Sequence, residues 1–227
     1  MSGSVLYVYA VTGSFPGSLA VAAGLRGAPL RAIASGPVAA IYSEHGIAPE
    51  PDEELLWSHE QIVEELMEGS TILPMRFGST VESPEALADW LKERREEFSV
   101  SLKRVRGAVE LSVRAQLPAA AKVDEKARPA WRSQPGTAYL LERARRQRRS
   151  EDAAARIHRP LAALARRSMP KAGAGDRGAF KAAYLVDEES VEAFGDRVGE
   201  LNSTLVDTKV SCTGPWPPYS FVAEAQR

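Results

Sequence analysis

The polar, proline-bearing stretch PAAAKVDEKARPAWRSQPG, residues 118–136, constrains this chain more than any other feature. It has little to pack into a core, so the 227 residues are divided into two halves that must each bury their own apolar surface. The expected organisation is an N-terminal α+β domain over residues 1–117, a connection over 118–136 and a C-terminal α+β domain over 137–227, two small α/β-sandwich-like domains.

In the first half SVLYVYAV is rich in β-branched and aromatic residues and opens the chain as a strand. PGSLAVAAGLRG suits a short helix, and PLRAIASGPVAAIYSE reads as two strands meeting near Ser35-Gly36-Pro37. From Asp52 onward Leu55, Leu56, Ile62, Val63, Leu66 and Met67 recur at helical spacing, with Ser58 and Gln61 as the expected capping box. STILPMRFGS is extended. Ser83-Pro84 then supplies an N-cap and an N1 proline for one long helix carrying Leu87, Trp90, Leu91, Phe98, Leu102 and Val105, and Gly107 ends it. AVELSVRAQL alternates as a strand.

The second half is expected to begin with a helix from about Thr137, kinked or split at Pro160. KAGAGDRG is a loop, AFKAAYLV a strand, ESVEAFGDRVGELNSTL a helix and VDTKVSCTG the last strand. The chain then runs through TGPWPPYSF, where Pro215, Pro217 and Pro218 stiffen the backbone that presents Trp216 and Tyr219. Large aromatic groups left in water forgo burial of roughly 2–3 kcal/mol each, so this tail is expected to dock as a strap that closes the second domain. A stiff proline-rich segment is also a form of partner ligand, which keeps Trp216 and Tyr219 as binding candidates.

Few chemistries are visible. A lone cysteine, Cys212, in an apolar-alternating run reads as a small packed side chain, and with no arginine-led apolar leader and no long apolar run the chain is expected to be soluble, cytoplasmic and not in a membrane. His59-Glu60 with Glu64 begins like a zinc-binding HExxH helix, but position 63 is Val63, so the second imidazole is missing and His59 falls on the apolar stripe. No phosphate-binding glycine loop, nucleophile elbow or paired-acid motif stands out, so neither an enzyme nor a cofactor is expected.

Charge is segregated, although the formal net charge is only −1. Glu44 to Glu68 holds nine acidic residues and no Lys or Arg, whereas ERARRQRRSEDAAARIHRPLAALARR holds nine arginines against three acids. Arg143, Arg145, Arg146, Arg148 and Arg149 either form a solvated face or dock onto acidic protein. A nucleic-acid-binding module built on the arginine-rich helix 143–167 is the alternative; it lacks the aromatic residues or recognition motif that such modules carry beside their cations, so no nucleic acid is expected. In ILPMRFGS, Arg76 is expected to pair with the acidic segment before it, with partner contact as the second reading, and Phe77 stands beside it.

HEQIVEELMEGSTILPMRFGSTVESPEAL, GTAYLLERAR, AAYLVDEESVEAF and the final TGPWPPYSF together resemble, in order and spacing, the gas vesicle protein F/L family, and LPMRFG and GPWPPYSF are the specific motifs. The resemblance covers essentially the whole chain. It implies a two-domain α+β protein whose second domain is ferredoxin-like. It further implies a non-enzymatic accessory role in assembling gas vesicles, with the hydrophobic shell protein, gas vesicle protein A, and other gas vesicle accessory proteins as partners.

Overall fold

A computed structural model describes residues 4–13, 23–116, 148, 151–171, 179–205 and 208–222. The architecture is α+β, in two compact units. One comprises Met1–Glu110 with Pro215–Arg227, the other Leu111–Gly214.

The first unit is built on an antiparallel sheet. β1 (Val5–Thr12) lies at its centre, pairing with β3 (Val38–His45), β4 (Ile72–Pro74) and the short β5 (Thr80–Val81), while β2 (Arg31–Ser35) pairs with the outer side of β3. The β2–β3 turn falls at Ser35-Gly36-Pro37 as expected, and Gly36 takes a positive φ of 63°. A register shift between Val8 and Ala10 makes Tyr9 a bulge, so Tyr7, Tyr9 and Ala10 all join one core cluster. Helix α1 (Glu53–Gly69) covers that cluster with Leu55, Ile62, Val63 and Leu66. Its N-cap is Asp52, whose carboxylate accepts the Leu55 N–H at 2.7 Å, and not Ser58, which lies inside the helix.

Leu6 and Val8 point from β1 the other way and are buried as well, and helices α2 (Pro84–Glu93) and α3 (Arg95–Val105) pack on β2, β3 and β4. Ser83 caps α2 through the Ala86 N–H. The single long helix expected here is two helices, because Arg94 leaves helical geometry at φ −103°, ψ 13°. Its guanidinium grips Glu97 by two hydrogen bonds of 2.8 and 2.7 Å and lies over the Trp90 and Phe98 rings, which holds the break shut.

The second unit follows the order β6 (Ala108–Gln116), helix α4 (151–162), β7 (Arg167–Lys171), β8 (Ala179–Asp187), α5 (Val191–Thr204), β9 (Lys209–Trp216). Its sheet runs β7-β8-β6-β9, the ferredoxin-like βαββαβ arrangement. Ile157 and Leu161 of α4 and Phe194, Val198 and Leu201 of α5 pack on Leu111, Val113, Tyr184 and Val186 of the sheet. Two strands complete this arrangement that the sequence assigned otherwise: β6, most of which groups with the second unit rather than the first half, and β7, for which no strand was expected. Helix α4 runs through Pro160 and stops two residues later, so the proline marks its approaching end without splitting it. The connection 118–136, the helix start near Thr137 and the glycine-rich loop lie outside the described residues.

Candidate functional site

Two motifs far apart in the chain converge on α1 in the first unit. The first is LPMRFG. After β4 the chain turns at Arg76-Phe77-Gly78-Ser79, where the Ser79 N–H donates to the Arg76 carbonyl at 3.1 Å and the Ser79 hydroxyl donates to the same oxygen at 2.7 Å. Gly78 has φ +83°, which a type II turn requires at its third position and which other residues adopt only with strain.

This turn is anchored from beneath by His59 and Tyr7, both fully buried. His59 Nε2 lies 3.0 Å from the Met75 carbonyl, which can only accept, so Nε2 carries the proton and Nδ1 accepts from the Tyr7 hydroxyl at 3.0 Å. The Tyr7 oxygen in turn accepts the Gly78 N–H at 3.1 Å. A hydrogen-bonded chain thus leaves the loop at Gly78, passes through Tyr7 and His59, and returns to it at Met75. Burial lowers the His59 pKa to about 4, against a partial rise from the Met75 bond, so the imidazole is neutral near pH 7. Burial also raises the Tyr7 hydroxyl, which therefore stays protonated and able to donate. The Phe77 ring meets Tyr7 and His59 edge-on, each at 5.7 Å between centroids.

The second motif is the tail. Beyond β9, Pro217 and Pro218 are buried and a short 3-10 turn, Tyr219–Phe221, carries Tyr219 onto the cluster around Tyr7 and His59. The Tyr219 hydroxyl donates to Glu60 Oε1 at 3.3 Å. Burial raises the pKa of both groups, and the Tyr219 bond pulls Glu60 back down. Ser220 fixes the strap with two contacts on buried Glu110, its N–H reaching Oε2 and its hydroxyl Oε1, both at 2.7 Å. Phe221 and Val222 are buried beyond it. The tail is therefore docked, but it groups with the first unit, not the second domain that it was expected to close. Trp216 remains 41% exposed, so Phe221 and the two prolines supply the buried surface assigned to it.

Arg76 is exposed and forms no ion pair among the described residues, so the expected pairing with the acidic segment is absent. The turn that carries it is held by hydrogen bonds at Gly78 and Ser79 while its side chain faces water. Arg148 is exposed, and Arg143, Arg145, Arg146 and Arg149 lie outside the described residues. His59 cannot ligate a metal without breaking its bonds to both Tyr7 and Met75, and no cluster of three or more His, Cys, Asp or Glu able to hold a metal occurs among the described residues. Cys212 packs, half-buried, against the second core, and burial pushes its thiol upward, away from nucleophilic chemistry.

The family described as "Gas vesicle synthesis protein GvpL/GvpF" matches residues 5–223. The chain belongs to the GvpL/GvpF family. Gas vesicle protein F of a Streptomyces species is 30% identical, over 95% of this chain and 98% of that protein. Gas vesicle protein L of the same species is 28% identical, over 97% and 93%. The crystal structure of GvpF from an Anabaena species superposes with a TM-score of 0.83 at 19% identity, covering 99% of this chain and 97% of that one, which shows a shared fold. For this GvpL/GvpF chain an accessory role in gas vesicle formation follows from the family.

Sequence reasoning found both motifs of this GvpL/GvpF member but not their meeting. The Glu110–Ser220 and Glu60–Tyr219 bonds span 110 and 159 residues, and no local pattern reports such a pairing. The one available signal was His59, an imidazole on an otherwise apolar helical stripe, which must find polar partners when buried.

Proposed function

We propose that this chain binds the small hydrophobic shell subunit, gas vesicle protein A, together with other gas vesicle accessory proteins while the vesicle wall nucleates or grows. It acts in the cytoplasm and at the vesicle, by contact rather than by catalysis. The observation that carries this reading is the family match across residues 5–223. Apolar shell subunits aggregate when exposed, and a protein that covers them until they add to the wall raises the yield of correct assembly.

The contact is assigned first to Arg76 and Phe77, because an exposed cation on an anchored turn binds with little further loss of conformational freedom. Trp216 and Tyr219 at the tail, and Arg143, Arg145, Arg146, Arg148 and Arg149, complete the candidate set. Co-expression of the tagged chain with the shell protein and neighbouring accessory proteins tests it. Specific capture, with more shell protein in the soluble fraction, is expected. Absence of capture for every gas vesicle protein would overturn the proposal.

A further inference from the structure

The outer face of α1 carries an indole ring that the fold leaves in water. Trp57 is 66% exposed, Leu56 beside it 44%, and Ile47 in the segment leading into the helix 80%. At 3.6 residues per turn, Glu53, Glu64 and Glu68 lie four, seven and eleven positions from Trp57 and share its face. None of these carboxylates forms an ion pair among the described residues. An indole face among unpaired carboxylates suits a guanidinium, which stacks on the ring while its N–H groups reach the acids.

The same chain carries the complementary surface. On α4 and just before it, Arg148, Arg156 and Arg159 are exposed and likewise form no ion pair among the described residues. Arg156 and Arg159 lie one helical turn apart on α4, and Arg148 stands three residues before its first described residue. Asp152, one turn before Arg156, shares this face, which still carries more arginines than acids, and the small side chains of Ala155 and of Ala163 just past the helix leave room for a bulky ring to approach. Arg166, by contrast, already pairs with Asp187.

We propose that the Trp57 face of α1 in one copy receives the arginine face of α4 from a second copy. Donor and acceptor surfaces differ, so the contact is heterologous, and each copy presents one of each. Chains can therefore associate head to tail. The contact rests on charge complementarity and an exposed ring, and it stands independently of shell-protein binding. Its attraction is screened by salt.

Two charge-reversed full-length variants test it: Glu53→Lys/Glu64→Lys/Glu68→Lys and Arg148→Glu/Arg156→Glu/Arg159→Glu. In sedimentation velocity at about 50 mM salt, the natural chain is expected to self-associate reversibly, and at about 500 mM to dissociate. Each variant alone presents like charges on both surfaces and stays monomeric. Mixed one to one, they present opposite charges again and associate, which a misfolded variant could not do. Trp57→Ala weakens self-association about fivefold or more. A natural chain that is monomeric at low salt, a variant that associates as the natural chain does, or a mixture that fails to regain association would each overturn the proposal.

Discussion

Acidification should loosen the first unit through His59, by an amount that follows from its burial. The imidazole has an unfolded pKa of 6.5 and a folded value of about 4, because burial disfavours the cation. Between those values the unfolded chain binds the extra proton and the folded chain does not, so stability is full above pH 6.5 and falls as pH drops toward 4. Each pH unit in that window costs up to about 1.4 kcal/mol, so the loss by pH 5 is about 2 kcal/mol. For a chain of this size that lowers the melting temperature by about 4–8 °C. Other groups titrate in the same range, including His45, whose pKa burial also lowers, so the decisive quantity is a difference. His59→Gln keeps a donor and an acceptor but cannot titrate. Denaturant unfolding of both proteins at pH 7 and pH 5 should show the natural protein losing about 2 kcal/mol more than the variant. Equal losses, or an imidazole that titrates near 6.5 by NMR, would refute the neutral, doubly hydrogen-bonded His59.

Phe221→Ala should destabilise the protein by about 3–4 kcal/mol, whereas Trp216→Ala, at a ring 41% exposed, should cost about 1 kcal/mol or less; thermal melts of the two order them. Ser220→Ala removes the hydroxyl that donates to Oε1 of buried Glu110 and leaves the backbone N–H bond to Oε2, an expected cost of about 1–3 kcal/mol, and limited proteolysis should then cut the tail sooner. Gly78→Ala forces a Cβ into φ +83° and should cost about 1–2 kcal/mol, seen as a lower denaturant midpoint. Arg76→Glu should change stability by no more than about 0.5 kcal/mol while reducing capture of the shell protein in pull-down, since the side chain is exposed and unpaired among the described residues.

Local chemistry in the sequence carried much of the fold, and the exceptions have physical causes. β1, β3, β6 and β8 were legible because β-branched and aromatic residues cluster in them, and α2 because Ser83-Pro84 is a strong start signal. β7 was not, since RSMPK offers neither alternation nor β-branched residues and is held by its pairing with β8. The break at Arg94 leaves no mark in the sequence pattern because the apolar stripe continues across it, and only the Glu97 pair and two aromatic rings reveal it. Ser58 has the spacing of a cap because Gln61 follows three residues later, but Asp52, six residues earlier, stands where the backbone is still extended and caps the helix. At the candidate site, Arg76 and Phe77 were visible through the glycine turn, but the junction with the tail depends on long-range bonds. The proline-aromatic tail announced that it would dock, and only the partners of Tyr219 and Ser220 say where.

The assembly role is tested most directly in a gas-vesicle-forming cell that lacks only this chain, complemented with the natural protein or with Arg76→Glu. Intact vesicles are then counted by electron microscopy. The expected result is no vesicles without the chain, recovery with the natural protein, and poor recovery with a variant whose melting temperature is unchanged. Abundant, buoyant vesicles in cells lacking the chain would contradict the account.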